Sequence, residues 1–259
     1  MIDSKEIIDY CYRYYGYGKL NSEIAVIGIE EGEKKEYHTL EKAKKRIKTT
    51  LSLLDKSGSP LIDFLEAHKI HSPEQYKKIM AYKSFSPYWN KATRLIMGFD
   101  GKDIETPKNV MKYFYEHILK KTVMLDFRPL FSTGIETWKY KNWSNLEQLK
   151  SREKYYNWID RDRINKIQNF IDTNNYKLVL VFGTGIKEQF EKIINLSFDS
   201  GKEIKNSEYT INLLKNKNTL YALVPQSVRT DGVGSVNRFY QWVGNEIKKN
   251  IKTTSNKRQ

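Results

Sequence analysis

Four short apolar runs stand out along the chain: EIAVIG (Glu23–Gly28), TVMLDF (Thr122–Phe127), KLVLVFG (Lys177–Gly183) and TLYALV (Thr219–Val224). Each is followed by glycine, proline or polar residues, which predicts four buried strands. Between them apolar residues recur in steps of three to four: Ala43, Ile47, Leu51 and Leu54; Val110, Phe114 and Ile118; Ile186, Phe190 and Ile193; Val236, Phe239, Val243 and Ile247. Those steps predict helices with one buried face. Thr106-Pro107 reads as the cap and first turn of the second of them.

Continuous apolar strands joined by long helical crossovers predict an α/β fold, a three-layer α/β/α sandwich with a mostly parallel central sheet of about four strands. The working loops of such a sheet lie at the carboxyl ends of its strands. Here they read GIEEG, RPLFSTG, GTG and PQSVRTDGVG, and all four are expected on one rim. A single domain over about 1–250 is expected, with a helical insertion at about 35–121 and a basic flexible tail at 251–259.

The chain of 259 residues is 39% hydrophobic, enough for a substantial core. No apolar run approaches the roughly 20 residues of a membrane helix and the first residues lack a signal-peptide core, so a cytoplasmic protein is expected, with no membrane partner. Cys11 is the sole cysteine, which excludes an intrachain disulfide and any multi-thiolate cluster. His38, His68, His71 and His117 form no ligand-like pattern, so neither a metal nor another cofactor is expected. Lys and Arg outnumber Asp and Glu by 45 to 31, a net charge of +14. That balance points to a polyanionic partner, nucleic acid first; the plain alternative is a lysine-rich solvated surface. Aromatic content of 13% suits stacking on exposed bases, although most rings belong in a core.

GIEEG itself admits three readings. It is a tight turn with solvated glutamates, a phosphate cradle that two glutamates would disfavour, or a carboxylate that orients water beside a substrate held against glycine backbone. Spacing does not choose among them.

The segment GYGKLNSEIAVIGIEEG resembles the first motif of the uracil-DNA glycosylase superfamily, in which a glycine-rich lead enters a strand and then a short loop carrying the water-positioning residue. YWNKATRLIMGFDGK, LDFRPLFSTGIETWKY, LVLVFGTG and VPQSVRTDG agree with it in order, so the resemblance spans about residues 15 to 245. It implies that Gly28 and Gly32 bracket the first loop and that Glu30 faces the attacking water, with Glu31 in place of the usual proline. Asp126 falls at the position that reads the extruded base. An ionised carboxylate only accepts hydrogen bonds, so this residue suits an exocyclic amine better than a uracil carbonyl. The competing reading makes Asp126 a buried partner of Arg128.

After the last strand the resemblance implies a histidine, where this chain has Pro225. Gln226, Ser227 or Arg229 would then supply hydrogen bonds to the departing base, and Val228 or Val233 the apolar wedge. Lys187, Arg229 and Arg238 are the candidate phosphate contacts. The implied activity is a DNA glycosylase that extrudes and hydrolytically excises a modified or deaminated base, a modified cytosine among the candidates, in repair or in defence against foreign DNA. Double-stranded DNA is the expected partner, or single-stranded DNA, with a monomer as the default state. The alternative is a non-catalytic DNA-binding protein on the same scaffold.

Overall fold

All four apolar runs form strands, and they lie side by side. In the computed structural model the described residues are 1–32, 39–83, 86–102, 106–132, 138–205, 210–225 and 233–255, with the backbone alone described at 30–32, 87, 184, 233–237 and 251–255. The strands are β1 (Gly16–Tyr17), β2 (Ile24–Gly32), β3 (Leu61–Ile62), β4 (Thr122–Ser132), β5 (Leu178–Phe182), β6 (Lys202–Lys205), β7 (Thr210–Asn216) and β8 (Thr219–Val224). The helices before β4 are α1 (Ser4–Arg13), α2 (Leu40–Ser57), α3 (Phe64–His71), α4 (Pro73–Met80), α5 (Pro87–Asp100), α6 (Pro107–Tyr113) and α7 (Leu119–Lys121). After it come α8 (Tyr140–Trp143), α9 (Arg152–Asn174), α10 (Lys187–Ile194) and α11 (Val233–Ser255).

The sheet runs β3-β1-β4-β2-β5-β8-β7-β6, and the contiguous block β4-β2-β5-β8 is parallel. The expectation of about four mostly parallel strands is corrected: the described residues form eight, in a mixed sheet. β1 runs antiparallel to β4, and β6, β7 and β8 form an antiparallel meander. The added strands escape a search for apolar runs for physical reasons. β1 and β3 are two residues long, and β6, KEIK, lies largely exposed at the sheet edge.

Alternation along the strands separates two apolar clusters, one on each sheet face. Ile24 and Val26 of β2 pack on the side of α1, α2, α5 and α11, while Ala25 and Ile27 face Ile167 and Phe170 of α9 and Phe190 of α10. Helical spacing is realised where it was expected: Ala43, Ile47 and Leu54 are buried on α2, and Phe190 and Ile193 on α10. Thr106 caps α6 by accepting from the Asn109 amide at 3.2 Å, with Pro107 as the first helical residue.

Candidate functional site

β2 and β4 run on past the rest of the sheet. β2 pairs with β5 only through Ile27↔Val181, yet continues against β4 through Gly28↔Asp126, Glu30↔Arg128 and Gly32↔Ser132, with a register shift between the last two. GIEEG and the first part of RPLFSTG are therefore strand rather than loop, which corrects the reading of Gly28 and Gly32 as brackets of a turn. Mutual backbone pairing outweighs the low strand preference of glycine, and the irregularity at Glu30/Gly32 has the form of a bulge that lets a strand end bend.

Topology singles out one point on this edge. From β2 the chain moves on to β4 on one side, and from β5 it moves on to β8 on the other, so adjacent strands β2 and β5 diverge at their carboxyl ends. A crevice at such a divergence is where open α/β sheets hold ligands. Gly28 is the first β2 residue beyond the pairing with β5, and Phe182 ends β5. Tyr88, in the first turn of α5, lies between them: its ring meets Phe182 edge-on at 5.3 Å, and its hydroxyl lies 3.0 Å from where a Gly28 β-carbon would sit.

The hydroxyl of Tyr88 is buried and makes no hydrogen bond among the described residues. Burial, and then the charge of Asp126, push its pKa well above the ordinary phenol value, so it stays protonated. Three rim groups from separate parts of the sequence thus converge: Gly28 from β2, Asp126 from β4 and Tyr88 from α5. One turn along α5, Lys91 sits 5.8 Å over the ring of Tyr240, whose hydroxyl donates to the Pro225 carbonyl at 2.9 Å. Partial burial lowers the Lys91 pKa. The end of β8 and the start of the last expected loop are tied to the same platform.

That platform is held by backbone contact between α5 and α11. A β-carbon at Gly98 would come within 2.2 Å of the Gln241 carbonyl, and one at Gly244 within 2.0 Å of the Leu95 carbonyl. Glycines at both positions allow the two helices to touch, which sets the height of Tyr88 above the sheet.

Arg128 is not the partner of Asp126 that the competing reading required. It donates to both carboxylate oxygens of Asp160, at 2.8 and 2.6 Å, and lies 3.4 Å over the Tyr156 ring. The Asp126 backbone is fixed instead. Its amide donates to the Tyr15 carbonyl at 3.0 Å, and its carbonyl accepts from Arg163, whose guanidinium also donates to the carbonyls of Tyr14 and Phe127. Arg163 is fully buried, and burial lowers its pKa.

The remaining expected residues divide. Glu30 and Gly32 pair with β4 through their backbones, and Glu31 lies between them in β2; the side chains of the two glutamates lie outside the described residues, as do Gln226, Ser227, Val228 and Arg229 entirely and the side chain of Val233. Lys187 opens α10, where Asp199 at 2.6 Å and Glu191 at 3.8 Å engage its charge and, with the hydrogen bond to Asp199 leading, raise its pKa. Arg238 is exposed on α11. Cys11 is buried and its thiol pKa is raised by that burial, so it is no nucleophile. Among the described residues no three His, Cys, Asp or Glu side chains are grouped to hold a metal ion, and no helix is long and apolar enough to cross a membrane.

Residue-by-residue reading missed Tyr88 and Lys91. The block that contains them, YWNKATRLIMGFDGK, carries a signal, an aromatic pair and a cation ahead of an apolar helix. Only the fold brings that helix over the first strand. No family model matches this chain, and no curated protein matches it.

Proposed function

We propose that the protein is a DNA glycosylase on a three-layer α/β/α scaffold, which extrudes a base into the crevice between β2 and β5 and hydrolyses its glycosidic bond. One observation carries this reading: Gly28 and Asp126 are register partners where β2 and β5 diverge, so a backbone position without a side chain and a hydrogen-bond acceptor lie side by side on the same face of the sheet. In this reading Glu30, two residues further along β2, orients the water and stabilises positive charge on the sugar. Asp126 accepts from the exocyclic amine of the base. The net charge of +14 supplies attraction to the phosphate backbone.

Extrusion is required because the bond to be cut is inaccessible within a stacked duplex, and it costs a few kcal/mol that protein contacts offset. Repair or defence against foreign DNA is the role that such an activity would serve.

The second reading, DNA binding without catalysis, is favoured by a specific observation: the Tyr88 ring fills the space over Gly28. Duplexes carrying uracil, hypoxanthine, cytosine or modified cytosines separate the two. Alkali-labile abasic sites that disappear in Glu30→Gln support the enzyme. Salt-dependent binding with no base release on any duplex supports the alternative.

A further inference from the structure

An acceptor alone does not read a base. An amine such as that of cytosine or adenine lies beside an unprotonated ring nitrogen, and a site that accepts from the amine needs a donor for that nitrogen next to it. Asp126 cannot supply both in its ionised form.

We infer that Tyr88 is the second base-reading residue: its hydroxyl donates to the ring nitrogen while Asp126 accepts from the neighbouring exocyclic amine, so the site takes amine-bearing bases. This rests on the glycosylase reading of the same crevice and adds to it the chemical class of the base. The geometry is specific. The Tyr88 oxygen is 3.0 Å from the Gly28 β-carbon position, and Gly28 is the register partner of Asp126, so the donor and the acceptor flank one backbone position. The oxygen has no hydrogen-bond partner among the described residues although it is buried. A buried hydroxyl without a partner is a standing cost to the fold, and a ligand acceptor removes that cost.

The position of the ring explains how a base enters. The hydroxyl is covered, so a base reaches it only as the ring tip draws back from Gly28 far enough to admit the edge of the base, which keeps the donor beside Asp126. That movement breaks no hydrogen bond between the oxygen and any described residue. In the seated position the phenol is protonated, since its burial and then the nearby carboxylate charge favour the neutral form. Uracil and hypoxanthine present a protonated ring nitrogen beside a carbonyl, which opposes both the donor and the acceptor.

Tyr88→Phe tests the inference, because it removes one oxygen and keeps the ring. The assay uses duplexes with a single cytosine, 5-hydroxymethylcytosine, adenine, uracil or hypoxanthine, alongside the unfolding midpoint of each variant. The expected result is release of an amine-bearing base by the unaltered protein, a drop in kcat/KM of roughly tenfold or more in Tyr88→Phe, and an unfolding midpoint that is unchanged or higher. A purely structural hydroxyl would lower the midpoint on removal, and that outcome overturns the inference. So does equal activity of the two proteins, or release confined to uracil or hypoxanthine; in those cases the glycosylase reading survives without it. If the unaltered protein releases no base from any duplex, both fall.

Discussion

The hydroxyl oxygen of Tyr88 lies 3.0 Å from the point that a β-carbon on Gly28 would occupy, and the ring carbon that bears it lies at 3.3 Å. A methyl group there meets the tip of the tyrosine before it meets anything else. Gly28→Ala is expected to destabilise the protein by about 1 kcal/mol, in the range of mild overpacking. Combined with Tyr88→Phe, which removes the nearest atom, the cost is expected to shrink. Urea unfolding of the two single variants and the double variant measures the coupling, and strict additivity would mean that the two residues do not meet.

The crossing of α5 and α11 has no such flexible partner. At Gly244 an added β-carbon would lie 2.0 Å from the Leu95 carbonyl and 2.6 Å from the Phe99 amide nitrogen. Backbone cannot yield as a side-chain tip does, so Gly244→Ala should separate the helices and cost about 3 kcal/mol or more. Thermal unfolding reads that loss. Activity should fall with it, because α5 carries Tyr88.

Arg163 joins two stretches of backbone, at the Tyr14 carbonyl and at the adjacent Asp126 and Phe127 carbonyls, while being fully buried. Removing it strands three acceptors and opens a cavity. Arg163→Ala is expected to cost about 3–5 kcal/mol. Arg163→Lys should recover only part of this, since an ammonium lacks the planar fork that reaches three oxygens. Denaturant midpoints of the two variants check the order.

Acid sensitivity has one identifiable source in His71. Its ring lies 4.9 Å from that of His68, and burial, then the charges of Arg46, His68 and Lys45, lower its pKa from 6.5 to about 2. Between those values the unfolded chain binds the extra proton and the folded chain does not. The contribution is therefore complete above pH 6.5 and is lost as the pH falls toward 2. The loss approaches about 1.4 kcal/mol per pH unit at most, and is smaller to the extent that solvent reaches the half-buried ring. The unfolding midpoint of His71→Asn should fall less steeply than that of the unaltered protein between pH 6 and pH 4.

Much of the parallel block was legible in the amino-acid sequence, because strands buried on both faces must be apolar throughout. TLYALV forms β8 with the expected bounds, and Thr106-Pro107 caps α6 as read. What failed to show was set by partners distant in sequence. Gly28–Gly32 looks like a turn because its composition is that of a turn, yet β4 supplies the pairing that keeps it extended. The same holds for Arg128, whose partner Asp160 lies on a helix 32 positions away rather than beside it. Tyr88 escaped for a third reason. Nothing local marks a tyrosine in a helical segment as the residue that packs over a glycine on another strand.

Base excision by this protein is tested most directly by mass spectrometry of the bases set free when it acts on DNA containing unmodified and modified bases. Release of an amine-bearing base is expected, abolished by Glu30→Gln and shifted toward carbonyl-bearing bases by Asp126→Asn. DNA that is bound tightly but yields no free base under any condition would contradict it.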